Sequence, residues 1–101
     1  MAIILNIETA LQEACISLSE GEKIISYTTS SNQKDHASWI HKAIQQVCSE
    51  SNVKLKTLDA VAVSIGPGSY TGLRVGLATA KGLCYALGCK LIAVPTLEIM
   101  A

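Results

Sequence analysis

The sequence has no surplus of either charge: eight Lys and Arg balance eight Asp and Glu, and charged residues make up only 16% of its 101 residues. Without a basic stripe to neutralise a run of phosphates, autonomous binding of nucleic acid is excluded. Cys15, Cys48, Cys84 and Cys89 include no C-x-x-C pair. They read as reduced thiols of a cytosolic protein, with Cys15 and Cys84 set in apolar runs as small buried hydrophobes. The opening residues Met1 to Asn6 lack the basic segment of a signal peptide. The apolar stretches are too short, or too broken by Gly and Lys, to cross a membrane, so a cytoplasmic location is expected.

What the chain does have is apolar mass. A hydrophobic fraction of 50% supplies the core of one small globular domain. Ala2 to Ile7, interrupted only by Asn6, predicts a central strand buried on both faces. Ala14 to Leu18 and Lys23 to Thr28, joined through Ser19-Glu20-Gly21-Glu22, predict two more strands of a meander. From Asp35 the period changes. Ile40, Ala43, Ile44 and Val47 fall at i, i+3, i+4 and i+7, the stripe of an amphipathic helix running to about Glu50, with Asp35 or Ser38 as its cap.

After the polar, irregular segment Ser49 to Lys56, Ala60 to Ile65 predicts a second buried strand that enters the turn Gly66-Pro67-Gly68. A helix over about Thr71 to Leu87 follows, with Gly88 in the place of a left-handed cap, and then a strand over Lys90 to Val94. The order βββαβαβ is a mixed α/β domain, read as a single domain over residues 1–101. Pro95 and Thr96 have the form of an entry and cap of a third helix of which only Leu97 to Ala101 remain, so the chain is read as one half of a larger protein.

The Gly66 to Gly76 stretch joins a strand to a helix, where backbone N–H groups and the helix dipole can hold an anion. Gly66, Gly68, Ser69 and Thr71 are therefore candidate anion-binding residues, joined by Glu8 and Thr9 at the carboxyl end of the first strand. The spelling fits neither a Walker loop, because Gly72 is followed by Leu73, nor G-x-G-x-x-G. Ser69 is not in a nucleophile elbow and has no histidine nearby in sequence to activate it, so as a candidate nucleophile it reads instead as a turn or capping residue. No carboxylate pair is spaced for acid and base roles, and Glu8 is the best single site candidate.

His36 and His41 are five apart, turned about 140° from one another on a helix, and do not form an i, i+4 metal pair. Gly72, Gly76 and Gly82 each cost about 0.8–1 kcal/mol relative to Ala inside a helix, so close packing has to offset them. Gly72, Gly76, Ala80 and Cys84 form one small-residue ridge; Val75, Thr79, Gly82 and Ala86 form a second beside it. Each ridge has two readings, a neighbour inside the domain or a partner outside it. Trp39, one residue off the Ile40 stripe, has the same two readings, ordinary packing or an aromatic anchor.

The run from Gly66 to Leu83 (Gly-Pro-Gly-Ser-Tyr-Thr-Gly-Leu-Arg-Val-Gly-Leu-Ala-Thr-Ala-Lys-Gly-Leu) closely resembles the signature of the TsaB family, formerly called YeaZ, which is itself similar to the glycoprotease-like TsaD proteins. The likeness extends to Ile4 to Thr9, the His36 region, Leu58 to Val63 and Pro95 to Glu98, and so covers nearly the whole chain. The resemblance implies an actin-like ATPase fold, of the ribonuclease H-like class, of which this chain is the first of two similar halves.

It further implies a non-catalytic subunit, with no catalytic residue, metal or cofactor of its own. Such a subunit binds and activates TsaD, together with the ATPase TsaE, in threonylcarbamoylation of the adenosine beside the anticodon of transfer RNA. The pairing implied runs through the first two helices, giving Trp39, Ile40, Ala43, Ile44, Val47, Gly72, Arg74, Val75, Gly76, Thr79 and Ala80 as interface residues; the same surface supports homodimers. Two departures bear on catalysis. The family fold's Asp-Thr-Ser after the first strand stands here as Glu8-Thr9-Ala10, and the zinc-binding histidine motif of TsaD is missing. A nucleotide-binding regulatory module, and an ATPase or metallopeptidase, are the alternatives.

Overall fold

The structure is a computed structural model that describes residues 2–9, 14–30, 36–64 and 70–94, the side chains of residues 36, 37 and 70–72 excepted. Five strands, β1 (Ile3–Glu8), β2 (Ala14–Glu20), β3 (Lys23–Ser30), β4 (Ala60–Ser64) and β5 (Lys90–Val94), are joined with two helices, α1 (His36–Ser51) and α2 (Tyr70–Leu87), in the order β1-β2-β3-α1-β4-α2-β5. The strands form one sheet in the order β3-β2-β1-β4-β5. The β1–β2 and β2–β3 pairs are antiparallel, β1–β4 and β4–β5 parallel. This is the mixed α/β arrangement the periodicities predict. The expected third helix after Pro95, and Ile65 at the predicted end of β4, lie outside the described residues.

Register explains why one face of the sheet is the core. Leu5 pairs with Leu18 and Val61, and Ile7 with Ile16 and Val63; because side chains alternate along a strand, these six point the same way. All are at most 1% exposed and join Ile40, Ala43, Ile44, Val47 and Ala80 in one core cluster. Both helices cover this face: α1 lies on β2 and β3, α2 on β4 and β5 with contacts to β1. The opposite face holds Asn6, Ser17 and Ser19, with Asn6 Nδ2 donating to Ser19 Oγ at 3.4 Å. A register shift after Leu18 sets Ile24 opposite Ser19, and Ile24 and Tyr27 are exposed in the edge strand β3. The apolar β5, at the other edge, is likewise largely exposed.

Local chemistry fixes the element ends. Gly21, at φ 62°, turns β2 into β3. Helix α1 closes as the Schellman arrangement, with Asn52 at φ 56°: the Asn52 N–H donates to the Ser49 carbonyl at 3.3 Å and the Val53 N–H to the Cys48 carbonyl at 2.9 Å. Ser51 Oγ adds a 2.6 Å bond to the Val47 carbonyl. Helix α2 ends on Gly88, at φ 70°, whose N–H donates to the Cys84 carbonyl at 2.8 Å, as its place after Leu87 predicts. At the other end of α1, Ser38 sits inside the first turn and is not the cap, because the helix already starts at His36; Asp35 lies outside the described residues. A single 3-10 turn, Leu55–Thr57, breaks the polar segment before β4.

Candidate functional site

Two regions carry the candidate residues: the carboxyl end of β1, and the surface formed by α1 and α2. At the first, Glu8 is 0% exposed and Thr9 2%. Glu8 ends β1, and Ile7 before it pairs with Val63 of β4, so the two residues stand where two parallel strands finish side by side. Gly66, Gly68 and Ser69 lie outside the described residues, and Thr71 and Gly72 belong to the first turn of α2 with side chains that are likewise outside them. The anion-loop reading thus retains Glu8 and Thr9 as placed residues, both buried.

The helices separate the two small-residue ridges. A Cβ on Gly76 would run into Thr9 Oγ1 and stand 3.4 Å from Ile7 Cγ2 and 3.5 Å from Val63 Cγ2. Gly76 therefore packs against the sheet, as does the fully buried Ala80. At Gly76 and Ala80 this ridge is taken up by the chain's own sheet, and Gly76 is required because only a backbone fits there. The second ridge is split: Val75 packs half-buried against the core, while Gly82 and Ala86 face away from it. Among the described residues a Cβ on Gly82 meets nothing within 4 Å, and Ala86 is exposed.

The amphipathic stripe of α1 is taken up in the same manner. Ile40, Ala43, Ile44 and Val47 are between 0% and 3% exposed and pack within the chain's own core, so their side chains are not presented to a partner. Trp39 is half-buried and packs against that core, the ordinary-packing reading of this residue, while part of its surface stays exposed. Arg74 is exposed, and Val75 and Thr79 are half-buried.

Between the helices lies an open groove of about 350 Å³ lined by His41 of α1 and Ala78, Thr79, Gly82 and Leu83 of α2. Thr79 Oγ1 donates to the Val75 carbonyl at 2.9 Å within its own helix, so its hydroxyl is satisfied internally and the groove wall is mainly apolar. The sequence ridges located Thr79 and Gly82 but missed His41, Ala78 and Leu83. Their signal was positional: Leu83 is four residues beyond Thr79 and Gly82 four beyond Ala78, one turn along the same surface.

Among the described residues no three His, Cys, Asp or Glu side chains are grouped to hold a metal ion, and no helix is long and apolar enough to cross a membrane. Cys48 is the buried cysteine, its thiol pushed up by desolvation. Cys15 and Cys84, expected as buried hydrophobes, are only half-buried, because Cys15 lies on the sheet face away from the helices and Cys84 in the last turn of α2.

Residues 22–101 match the family model of TsaD, tRNA N6-adenosine threonylcarbamoyltransferase. A tRNA threonylcarbamoyladenosine biosynthesis protein TsaB from Buchnera aphidicola subsp. Acyrthosiphon pisum is 33% identical across 98% of this chain and 44% of its own length. A tRNA N6-adenosine threonylcarbamoyltransferase from Thermodesulfovibrio yellowstonii is 32% identical across 95% of this chain and 33% of its own. The chain thus spans less than half the length of these curated relatives.

Among solved structures, YeaZ from Pseudomonas aeruginosa superposes with a TM-score of 0.87 at 25% identity, over 94% of this chain and 44% of that one. RuvC from T. thermophilus superposes with a TM-score of 0.63 at 12% identity, over 97% and 67%, a likeness of fold alone. The mixed sheet with two helices on one face is accordingly of the actin-like and ribonuclease H-like type. On its sequence match and its fold together, the chain belongs to the TsaD family, in which its resemblance is to the TsaB (YeaZ) proteins of tRNA threonylcarbamoyladenosine biosynthesis.

Proposed function

We propose that this chain acts as a non-catalytic partner that binds and activates a TsaD transferase in threonylcarbamoylation of tRNA adenosine, and that the α1–α2 groove is the docking surface. The observation that carries this reading is Gly82. A glycine inside a helix costs about 1 kcal/mol relative to Ala, and here nothing among the described residues occupies the space it leaves. A small residue beside an apolar groove lets another helix approach its backbone closely, which supports a helix from a partner as the missing neighbour.

The exposed or half-exposed residues Trp39, His41, Arg74, Val75, Ala78, Thr79 and Leu83 form the contact surface in this reading. Ile40, Ala43, Ile44, Val47, Gly76 and Ala80 hold the two helices in place beneath it. A TsaE-type ATPase joining the assembly, and self-association through the same groove, belong to the same proposal. The buried positions of Glu8 and Thr9 give the nucleotide-binding reading no separate support.

The test is calorimetric titration of the protein with the TsaD of the same cell, comparing wild type with Gly82→Leu. The variant should keep its circular dichroism and thermal transition, because its side chain enters open space, and should weaken binding by at least about tenfold. A folded variant that binds unchanged removes the groove from the interface, and no binding by wild type removes the partner reading altogether.

A further inference from the structure

The structure brings together two thiols that the sequence leaves apart. Helix α2 ends at Leu87, and the Gly88 cap reverses the chain so that Cys89, at the entry to β5, returns beside Cys84 of the last helical turn. Their sulfurs are 3.7 Å apart, with Cys89 Sγ donating to Cys84 Sγ. Cys84 Sγ in turn donates to the Lys90 carbonyl at 3.4 Å. Both residues are half-buried, open to a small solute, while Cys48 is buried. A disulfide bond of about 2.05 Å requires the sulfurs to approach by about a further 1.7 Å, a movement within the reach of side-chain rotation at a helix end.

We propose that Cys84 and Cys89 are a redox modification site: a hydroperoxide oxidises the pair to an intramolecular disulfide that ties the last turn of α2 to the start of β5. The order of events follows from the surroundings. Cys84 Sγ is engaged with the Lys90 carbonyl, and desolvation and the neighbouring Cys89 push its thiol up to about 11, so Cys84 is reluctant to ionise and is the resolving thiol.

The Cys89 thiolate attacks the O–O bond, taking one oxygen as a sulfenic acid while the other leaves as alkoxide and is protonated to the alcohol. With Cys89 converted to the neutral sulfenic acid, no charge beside Cys84 opposes its ionisation. The Cys84 thiolate then attacks the sulfenic sulfur, the S–O bond breaks, and hydroxide leaves as water. Two thiols and one hydroperoxide give one disulfide, one alcohol and one water; the two electrons pass from the sulfurs to the peroxide. The cross-link closes a six-residue loop behind Leu83 at the groove wall, and its formation does not depend on what the groove binds.

Trypsin isolates the site, because cleavage after Lys81 and Lys90 releases a peptide, residues 82–90, that contains these two cysteines and neither of the others. The full chain is reduced, exposed to one equivalent of hydrogen peroxide, blocked with iodoacetamide and digested. The expected product is this peptide lighter by two hydrogen masses and unalkylated, regaining two alkyl groups when dithiothreitol precedes the block. Its thiols should be lost at least about tenfold faster than that of Cys48. In Cys84→Ser, oxidation should stop at a dimedone-reactive sulfenic acid on Cys89 that wild type does not accumulate. A doubly alkylated peptide after peroxide, a cross-link between chains in place of the internal one, or equal dimedone labelling of wild type and variant overturns the proposal.

Discussion

The backbone of Gly76 in α2 lies directly against the Thr9 side chain at the end of β1, with Ile7 and Val63 beside it. A methyl group at this position has no free volume to enter, and the β-branched Thr9 is stiff about its first torsion. Gly76→Ala should therefore destabilise the fold by about 1–2 kcal/mol, the overpacking penalty exceeding the usual helix gain of about 1 kcal/mol. Urea unfolding followed by circular dichroism measures this. In a Thr9→Ala background the penalty should shrink, a coupling that a double-mutant cycle reads directly.

Gly82 provides the opposite sign with the same substitution. Among the described residues an added Cβ meets nothing there, so Gly82→Ala should stabilise the isolated chain by about 0.5–1 kcal/mol through helix propensity and a less free unfolded state. A destabilised Gly82→Ala would mean that the turn of α2 around it is held by something other than the packing described.

The strands joining the sheet's centre meet at Asp59. Its N–H donates to the Ile3 carbonyl at 2.9 Å, and its carboxylate Oδ2 accepts from the Ile3 N–H at 2.7 Å, clamping the start of β1 to the approach to β4. Asp59→Ala removes the charge-assisted bond at an exposed site, so the loss should be modest, about 1 kcal/mol. Asp59→Asn, which keeps an acceptor oxygen, should lose less; equal losses in the two variants would count against the clamp.

How far these relationships could be read from sequence depends on whether their cause is local. The period of Ile40, Ala43, Ile44 and Val47 finds α1 and its buried face because one helix determines both. The same period cannot say what lies across that face, and the stripe is filled by the chain's own sheet. The two ridges of α2 were visible as patterns. Only the pairing of β1 with β4 beneath the helix decides that Gly76 meets Thr9 while Gly82 meets nothing. Cys84 and Cys89 were both plain in the sequence, and their contact was not, although Gly88 between them signalled the reversal that produces it.

That contact has a consequence in alkaline solution. The Cys84 thiol is raised from its ordinary 9.0 to about 11, first by desolvation and then by the neighbouring Cys89. In the unfolded chain these influences vanish, so between about pH 9 and 11 the unfolded state loses this proton while the folded state retains it. The folded state then binds more protons than the unfolded one, and stability falls as pH rises through this window. The contribution is complete below pH 9 and gone above the folded value. Urea unfolding under reducing conditions at pH 8, 9.5 and 10.5 should show a decline that is shallower in Cys84→Ser, where no thiol titrates at this position. Cys48, whose thiol burial also raises, is common to both proteins, so the difference between the two slopes reports Cys84; parallel slopes would mean that its thiol is no harder to ionise in the fold than in the open chain.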